Sequence, residues 1–309
     1  MRVLIALGGN AMTAPDGSAR QEHQRAAITE AMEPVADVVA AGDQVVLTHG
    51  NGPQVGNLLV KNELSAAVVP PVSLDWCGAQ TQGTIGLLIL NALDAALARR
   101  DRPARVAALV SRTLVAADDP HFAAPTKPIG RYLPEPEARV MVEHGQTWQD
   151  RGERGWRRVV ASPEPIESLD APAAAALLDA GYVVTCSGGG GIPVVRDPDG
   201  RLRGVEAVID KDLTAAVLAR QLGVDALVIA TDVEAAVVGF GTPDARAIGA
   251  VTVDRLRALA ADGNFAGGSM GPKVEAACRF AEAGGRAVIT SLHHLGPALR
   301  GGAGTVVTY

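Results

Sequence analysis

Aromatic residues make up only 3% of this 309-residue chain, against 48% hydrophobic residues in all. A core must therefore be aliphatic, built from Val, Leu, Ile and Ala, and at this length it needs no disulfide staples. Cysteine is also scarce. Cys77, Cys186 and Cys278 stand far apart without C-x-x-C spacing, which disfavours zinc and redox motifs and points to buried thiols in a reducing compartment. The net charge of −6 argues against the basic stripe of a nucleic-acid surface, though not against a local cluster of cations around a nucleotide. The N-terminal apolar run is too short for a signal-peptide core, and no stretch reads as a membrane span. The expectation is a cytoplasmic protein with neither nucleic-acid nor membrane partners.

Two common nucleotide signatures are missing as well. The fingerprint G-x-G-x-x-G does not follow the first apolar run, which disfavours a doubly wound oxidoreductase, and the P-loop G-x-x-x-x-G-K-[ST] is absent.

What the chain does have is alternation. Short apolar runs at 3–7, 44–48, 105–110, 182–186, 226–230 and 287–290 read as buried strands. Helical spacing fills 21–41, 75–100, 173–180, 211–222 and 272–283, with Pro34 expected to kink or split the first of these. Such alternation predicts an α/β fold with a mostly parallel central sheet, helices on both faces, and a site beyond the carboxyl ends of the strands. Two regions interrupt the pattern. Residues 112–168 are rich in Pro, Arg, Glu and Trp and read as an insertion folded over a site. In "IPVVRDPDGRLRGVEAVID", Asp199-Gly200 reads as the turn of a hairpin.

Glycines cluster in four turns: Gly8-Gly9, "THGNGPQVG" from Thr48, "SGGGG" from Ser187, and "AGGSMGPK" from Ala266. The first three each follow a predicted strand, where glycine lets backbone donors crowd an anion. Pro53 and Pro272 sit where a first helical turn would begin, aiming two helix N-termini at the same ligand. No Lys or Arg follows the first turn until Arg20, so the neutralising charge must come from elsewhere.

Lysine supplies the lead. Of 28 basic residues only Lys61, Lys127, Lys211 and Lys273 are lysines. Where arginine fills nearly every basic position, a surviving lysine marks a need for a compact ammonium, such as the point charges phosphoryl transfer uses. Lys61 lies on a polar helix face and reads as a solvated residue. The other three stand in "PTKPIG", "VIDKDL" and "SMGPKV", beside turn-forming or acidic residues. Asp210 and Asp212 flank Lys211. Structurally they would cap the following helix; functionally they would keep lysines charged and aimed, or reach a Mg²⁺ directly or through water. The orienting role goes to Asp212 first. His49 is expected to contribute its backbone, and His293-His294 to form an exposed turn.

Together "ALGGNA", "THGNGPQVGNL", "LDWCGAQTQGTIG", "PTKPIG", "GERGWRRVVASPEP", "SGGGGIPV", "VIDKDLTAAVLA", "TDVEA" and "FAGGSMGPKVEAA" resemble the motifs of carbamate kinases, in the amino-acid kinase superfamily, essentially from end to end. The resemblance implies a single domain over 1–309, a three-layer αβα sandwich, with 112–168 as an inserted, protruding lid subdomain. It implies reversible phosphoryl transfer between ATP and carbamate, with carbamoyl phosphate and ADP on the other side. Many superfamily relatives carry a first-strand lysine where this chain has Ala6; carbamate kinases supply that charge from the lid, which by motif is Lys127. Lys211 and Lys273 match the other two family lysines, and Asp212 the aspartate that organises them. Gly8, Gly9, Asn10, Gly50, Asn51 and Gly52 match the loops near carbamate and the transferred phosphate. Ser187, Gly188, Gly189, Gly190, Asp210, Thr231, Asp232, Met270 and Pro272 would line the nucleotide. Mg²⁺ would be held mainly by phosphates and water, with no direct protein ligand. The family also implies a homodimer in arginine metabolism.

Two departures stand out. After "TDVEA" the family commonly has Val-Tyr and then Asn two residues on, whereas this chain reads Ala236-Val237-Val238-Gly239-Phe240, without the tyrosine that packs near the base. "PIGR" replaces the more usual "PIGP", adding Arg131 at the lid. The alternatives are a same-fold kinase for another small carboxylate, against which the Ala6–Lys127 exchange argues, and a nucleotide-binding regulator without turnover, which a lost catalytic lysine would have favoured.

Overall fold

The computed structural model describes residues 1–9, 13, 20–265 and 269–309; Asn10 and residues 266–268 of the fourth glycine-rich turn lie outside them. The first stretch forms β1 (Arg2–Leu7), α1 (Gln21–Ala40), β2 (Gln44–His49), α2 (Gly52–Ser65), α3 (Leu74–Ala98) and β3 (Arg105–Ala108). Next come β4 (Arg112–Leu114), β5 (Lys127–Leu133), α4 (Glu135–Glu143), β6 (Thr147–Asp150), β7 (Trp156–Val160) and β8 (Glu167–Ser168). The middle of the chain holds α5 (Ala171–Asp179), β9 (Tyr182–Thr185), β10 (Ile192–Arg196), β11 (Leu202–Gly204), α6 (Lys211–Gln221) and β12 (Ala226–Thr231). The remainder is β13 (Val237–Val238), β14 (Arg246–Ala247), β15 (Ala250–Thr252), α7 (Val253–Ala261), α8 (Met270–Glu282), β16 (Arg286–Ser291), α9 (Leu295–Leu299) and β17 (Thr305–Thr308).

Among the described residues the large sheet runs β15-β17-β16-β12-β1-β2-β9-β3. Every neighbouring pair is parallel except β16 with β17. The apolar run of β1 is continuous because both of its faces are covered. Leu4 and Ala6 point into a core with Leu178, Leu218, Leu256 and Phe280, from α5, α6, α7 and α8. Val3, Ile5 and Leu7 point into the opposite core with Met32, Val35, Ile89, Leu93 and Leu295, from α1, α3 and α9. This is the expected αβα sandwich.

Pro34 does not split the first helix: α1 runs through it as one element. Ile28, Ala31, Met32, Val35, Ala36 and Val39 are buried at helical spacing, and Arg100, just beyond α3, donates to both the side chain and the carbonyl of Glu33. Packing on both sides of the proline offsets its missing amide.

Helix α3 qualifies by length and composition as a membrane span, contrary to the sequence expectation, yet half of its most apolar window is buried inside the protein. Ile85, Ile89, Leu93 and Leu97 make it a core helix.

The excursion at 112–168 divides in two. Its ends, β4 and β8, join β10 and β11 in a second sheet, β11-β10-β4-β8, where β10 and β11 form the predicted hairpin. Gly200 supplies a φ of +87° in that turn. Between the ends, β5, β7 and β6 form a separate sheet carrying α4, with its own small core of Leu133, Ala138 and Trp148. Ile129 and Val160 of this piece pack with Val55 and Leu59 of α2, which fixes its base to the body.

Leu93 is fully buried between α3 and the sheet. Leu93→Ala should cost about 2–5 kcal/mol of unfolding free energy, measured by urea denaturation.

Candidate active site

Five strands of the large sheet end at one cleft of about 1290 Å³. β1 delivers Gly8 and Gly9, β2 delivers Gly50, Asn51 and Gly52, β9 leads to Gly189, β12 to Thr231 and Asp232, and β16 to Ser291 and His293. The first two turns touch. Gly50 N–H donates to Leu7 O at 3.1 Å, and a Cβ on Gly50 would stand 3.1 Å from Gly9 N, so this approach needs glycine. α2 begins at Gly52 with Pro53 in its first turn, so its free amides face the cleft.

The three singled-out lysines line this cleft, each brought by a different element. Asp212, in the first turn of α6 and only 3% exposed, accepts from Lys211 Nζ through Oδ1 and from Lys273 Nζ through Oδ2 at 3.1 Å. Lys273, in α8 and 5% exposed, also donates to Ser269 O at 3.3 Å. Two buried ammoniums would repel, and the shared carboxylate offsets that repulsion. Burial pulls the Lys211 pKa below its ordinary value, with Lys273 adding to the fall and Asp212 opposing it. Lys127 arrives from β5, on the small sheet, and donates to Asp210 Oδ2 at 2.9 Å. Asp210 is the N-cap of α6: its Oδ1 accepts from Asp212 N at 2.9 Å and Leu213 N at 3.3 Å. Burial alone would raise the Asp210 pKa, but Lys127, Lys211 and the Asp212 amide hold it below the usual carboxylate value. Lys61 is exposed on α2, away from this group.

Not every residue singled out in the sequence lines the cleft. Gly8, Gly9, Gly50, Asn51, Gly52, Gly189, Thr231, Asp232 and Pro272 do, with the three lysines and Asp210 and Asp212. Ser187, Gly188 and Gly190 sit behind it, tied to the body. Thr48 Oγ1 donates to Ser187 O, Gln82 Nε2 to Gly188 O, and both Thr113 Oγ1 and Thr214 Oγ1 to Gly190 O, at 2.8–3.0 Å. Met270 packs against the core under α8. Asn10 lies outside the described residues. The segment that departs from the family pattern forms β13 and runs on to Phe240, which is 76% exposed.

Sequence reasoning missed the supports. Gln82 is 4% exposed and also accepts from Ser111 N at 2.8 Å; Asn51 Nδ2 donates to Thr81 Oγ1 at 2.8 Å. Both α3 residues stand in the quoted "LDWCGAQTQGTIG", whose length was the only available signal.

A phosphate-bearing ligand suits this donor set of glycine amides, helix termini and ammoniums. A divalent cation finds less. Asp210 and Asp212 are each paired with lysine, and among the described residues no cluster of three or more His, Cys, Asp or Glu is present.

Comparison with known proteins gives the family of this fold. The model of the amino acid kinase family matches residues 1–291. A carbamate kinase from Thermococcus kodakarensis is 45% identical, covering 99% of this chain and 98% of its own length. A carbamate kinase-like protein from Escherichia coli is 43% identical over 98% of this chain and 97% of its own. The solved carbamate kinase from Giardia lamblia bound to AMP-PNP superposes with a TM-score of 0.93 at 40% identity, covering 99% of this chain and 98% of that one. The chain belongs to the amino acid kinase family. The relatives that match it over nearly full length include several carbamate kinases.

His49 closes β2 beneath the glycine loop. Its ring is buried, its Nδ1 lies 3.0 Å from Gly50 O, and a Cβ on Gly188 would meet its Nε2 at 2.3 Å. Burial, with Lys211 nearby, lowers its pKa to about 4. The depressed value means the unfolded chain binds the proton more readily, so the stability His49 contributes is present above about pH 6.5 and is lost as pH falls towards 4. In a histidine NMR titration, His49 should change state near pH 4.

Proposed function

We propose that this chain is a carbamate kinase, transferring a phosphoryl group reversibly between ATP and carbamate. The observation that carries the reading is the arrival of Lys127, from outside the main sheet, at the α6 N-terminus where Lys211, Asp212 and Lys273 already meet. The first strand offers only buried Ala6 at this point, so the lid lysine supplies the cation that the first glycine turn lacks. In the ATP-forming direction an ADP phosphate oxygen attacks the phosphorus of carbamoyl phosphate, and the bond to the carbamate oxygen breaks. Carbamate leaves as an anion, so neither direction needs a general base at the acceptor.

The residue roles follow from charge. Amides of Gly9, Asn51 and Gly52 bind the carbamate and transferred phosphoryl oxygens, while Gly8 and Gly50, whose amides donate to Ala230 O and Leu7 O, shape the two turns around them. Lys127, Lys211 and Lys273 stabilise charge on the group in flight. Gly189, Asp210, Thr231, Asp232 and Pro272 border the nucleotide, with Ser187, Gly188, Gly190 and Met270 supporting that border from behind. Mg²⁺, when bound, would neutralise phosphate oxygens while held mainly by them and by water. Residues 112–168 act as the lid, with β5 to β7 as the part that covers the site and excludes water. A homodimer fits the exposed apolar side chains on α2, α3 and their connection, Leu64, Val68, Val69, Trp76 and Leu87.

The test is ATP formation from ADP, carbamoyl phosphate and Mg²⁺ by the purified protein and by Lys127→Ala. Turnover should fall by about 10²–10³-fold in the variant. Nucleotide binding without turnover in the unmodified protein would favour the regulator; equal turnover in both would remove Lys127 from the chemistry.

A further inference from the structure

A carboxylate inside an anion-binding cleft needs a reason, because it repels the ligand the cleft is built for. Asp212 has one, since it lies between two buried lysines. Asp210 is only 14% exposed at its side chain and faces the same cleft. Capping alone does not explain it, because capping uses one oxygen. Oδ1 accepts both helix amides, which fixes the plane of the carboxylate and turns Oδ2 to the ammonium of Lys127, 83 positions away in sequence.

We propose that Asp210 is the positioning residue of the lid lysine: one oxygen caps α6 while the other moors Lys127 at the cleft and hands it to the arriving phosphoryl group. This rests on the reading that Lys127 meets that group. The mooring is suited to exchange. Lys127 keeps 34% of its side chain exposed, unlike Lys211 at 14% and Lys273 at 6%, so its pairing is screened by water and readily traded. A phosphoryl group carries more charge than one carboxylate and can draw the ammonium away, while Asp210 remains as the cap. The same bond ties the small sheet to the body close to the reacting centre. Among the described residues, the other two ion pairs across this boundary, Arg131 with Glu63 at 3.2 Å and Arg158 with Glu206 at 3.5 Å, join it to α2 and to the segment before α6.

The substitution Asp210→Asn separates the two jobs, since asparagine is an equally good N-cap but carries no charge for Lys127. Two readouts decide the matter, taken on the unmodified protein, Asp210→Asn, Lys127→Ala and the double variant. In the substrate-free proteins, amide hydrogen exchange across β5 should quicken in both single variants and go no faster in the double. In turnover, kcat for ATP formation should drop about 10–100-fold in Asp210→Asn, the cost of a misplaced catalytic group. Added to Lys127→Ala, the same substitution should change kcat less than about threefold, because the two residues act as one unit. Thermal melting of Asp210→Asn should stay near that of the unmodified protein. Exchange at β5 unaltered by Asp210→Asn overturns the proposal. So does a double variant whose loss is the product of the two single losses, which would give Asp210 a role independent of Lys127. If the unmodified protein makes no ATP, the carbamate kinase reading fails, and the exchange experiment still decides whether Asp210 moors the lid.

Discussion

One buried carboxylate, Asp212, lets two ammonium groups stand side by side where the strands end. Without it, Lys211 and Lys273 would repel each other in a region with little water to screen them. The fold makes the arrangement rigid. Asp212 sits in the first turn of α6, the turn is capped by Asp210, and α6 packs against the large sheet through Leu218 and Ala219. Lys273 enters from α8, whose same face is buried further along through Ala277 and Phe280. Helix packing thus holds the two ammoniums and their shared carboxylate in place, the preorganisation that stabilising a developing charge requires.

The glycine loops depend on a second constraint. A loop that offers its amides to an anion must dispose of its carbonyls, and a buried carbonyl without a donor is costly. Here side chains from four elements take them: Thr48 of β2, Gln82 of α3, Thr113 of β4 and Thr214 of α6. The positive φ values of Ser187, Gly189 and Gly190 set the loop's path, and His49 and Asn51 fill the space that side chains on Gly188 and Gly189 would need. This accounts for four successive glycines better than flexibility does, since each meets a different neighbour.

Much of the framework was legible in the sequence because the signals were local. The six apolar runs became strands, and the Asp199-Gly200 turn became a hairpin. The lysines stood out because arginine had taken almost every other basic position. What was hidden was either weakly periodic or non-local. β15, β17 and the half-buried helix α7 carry short or mixed patterns, and the small sheet of β5 to β7 is dense in Arg and Pro, so 112–168 read as an insertion without strands of its own. Pro34 does not split α1, because tertiary packing against α3 outweighs a local rule. The pairing of Lys127 with Asp210 and the props beneath the glycine loop join residues far apart in the chain, and no spacing encodes them.

If Asp212 offsets the burial of Lys211, its removal must lower the Lys211 pKa further, and the scarcity of lysine makes that directly measurable. With lysine labelled at Cε, the chain gives four side-chain signals to follow with pH. Lys211 should titrate below the ordinary lysine value of 10.5 in the unmodified protein, and lower still in Asp212→Asn, once the carboxylate that opposes burial is gone. A Lys211 signal that titrates identically in both proteins would contradict the account.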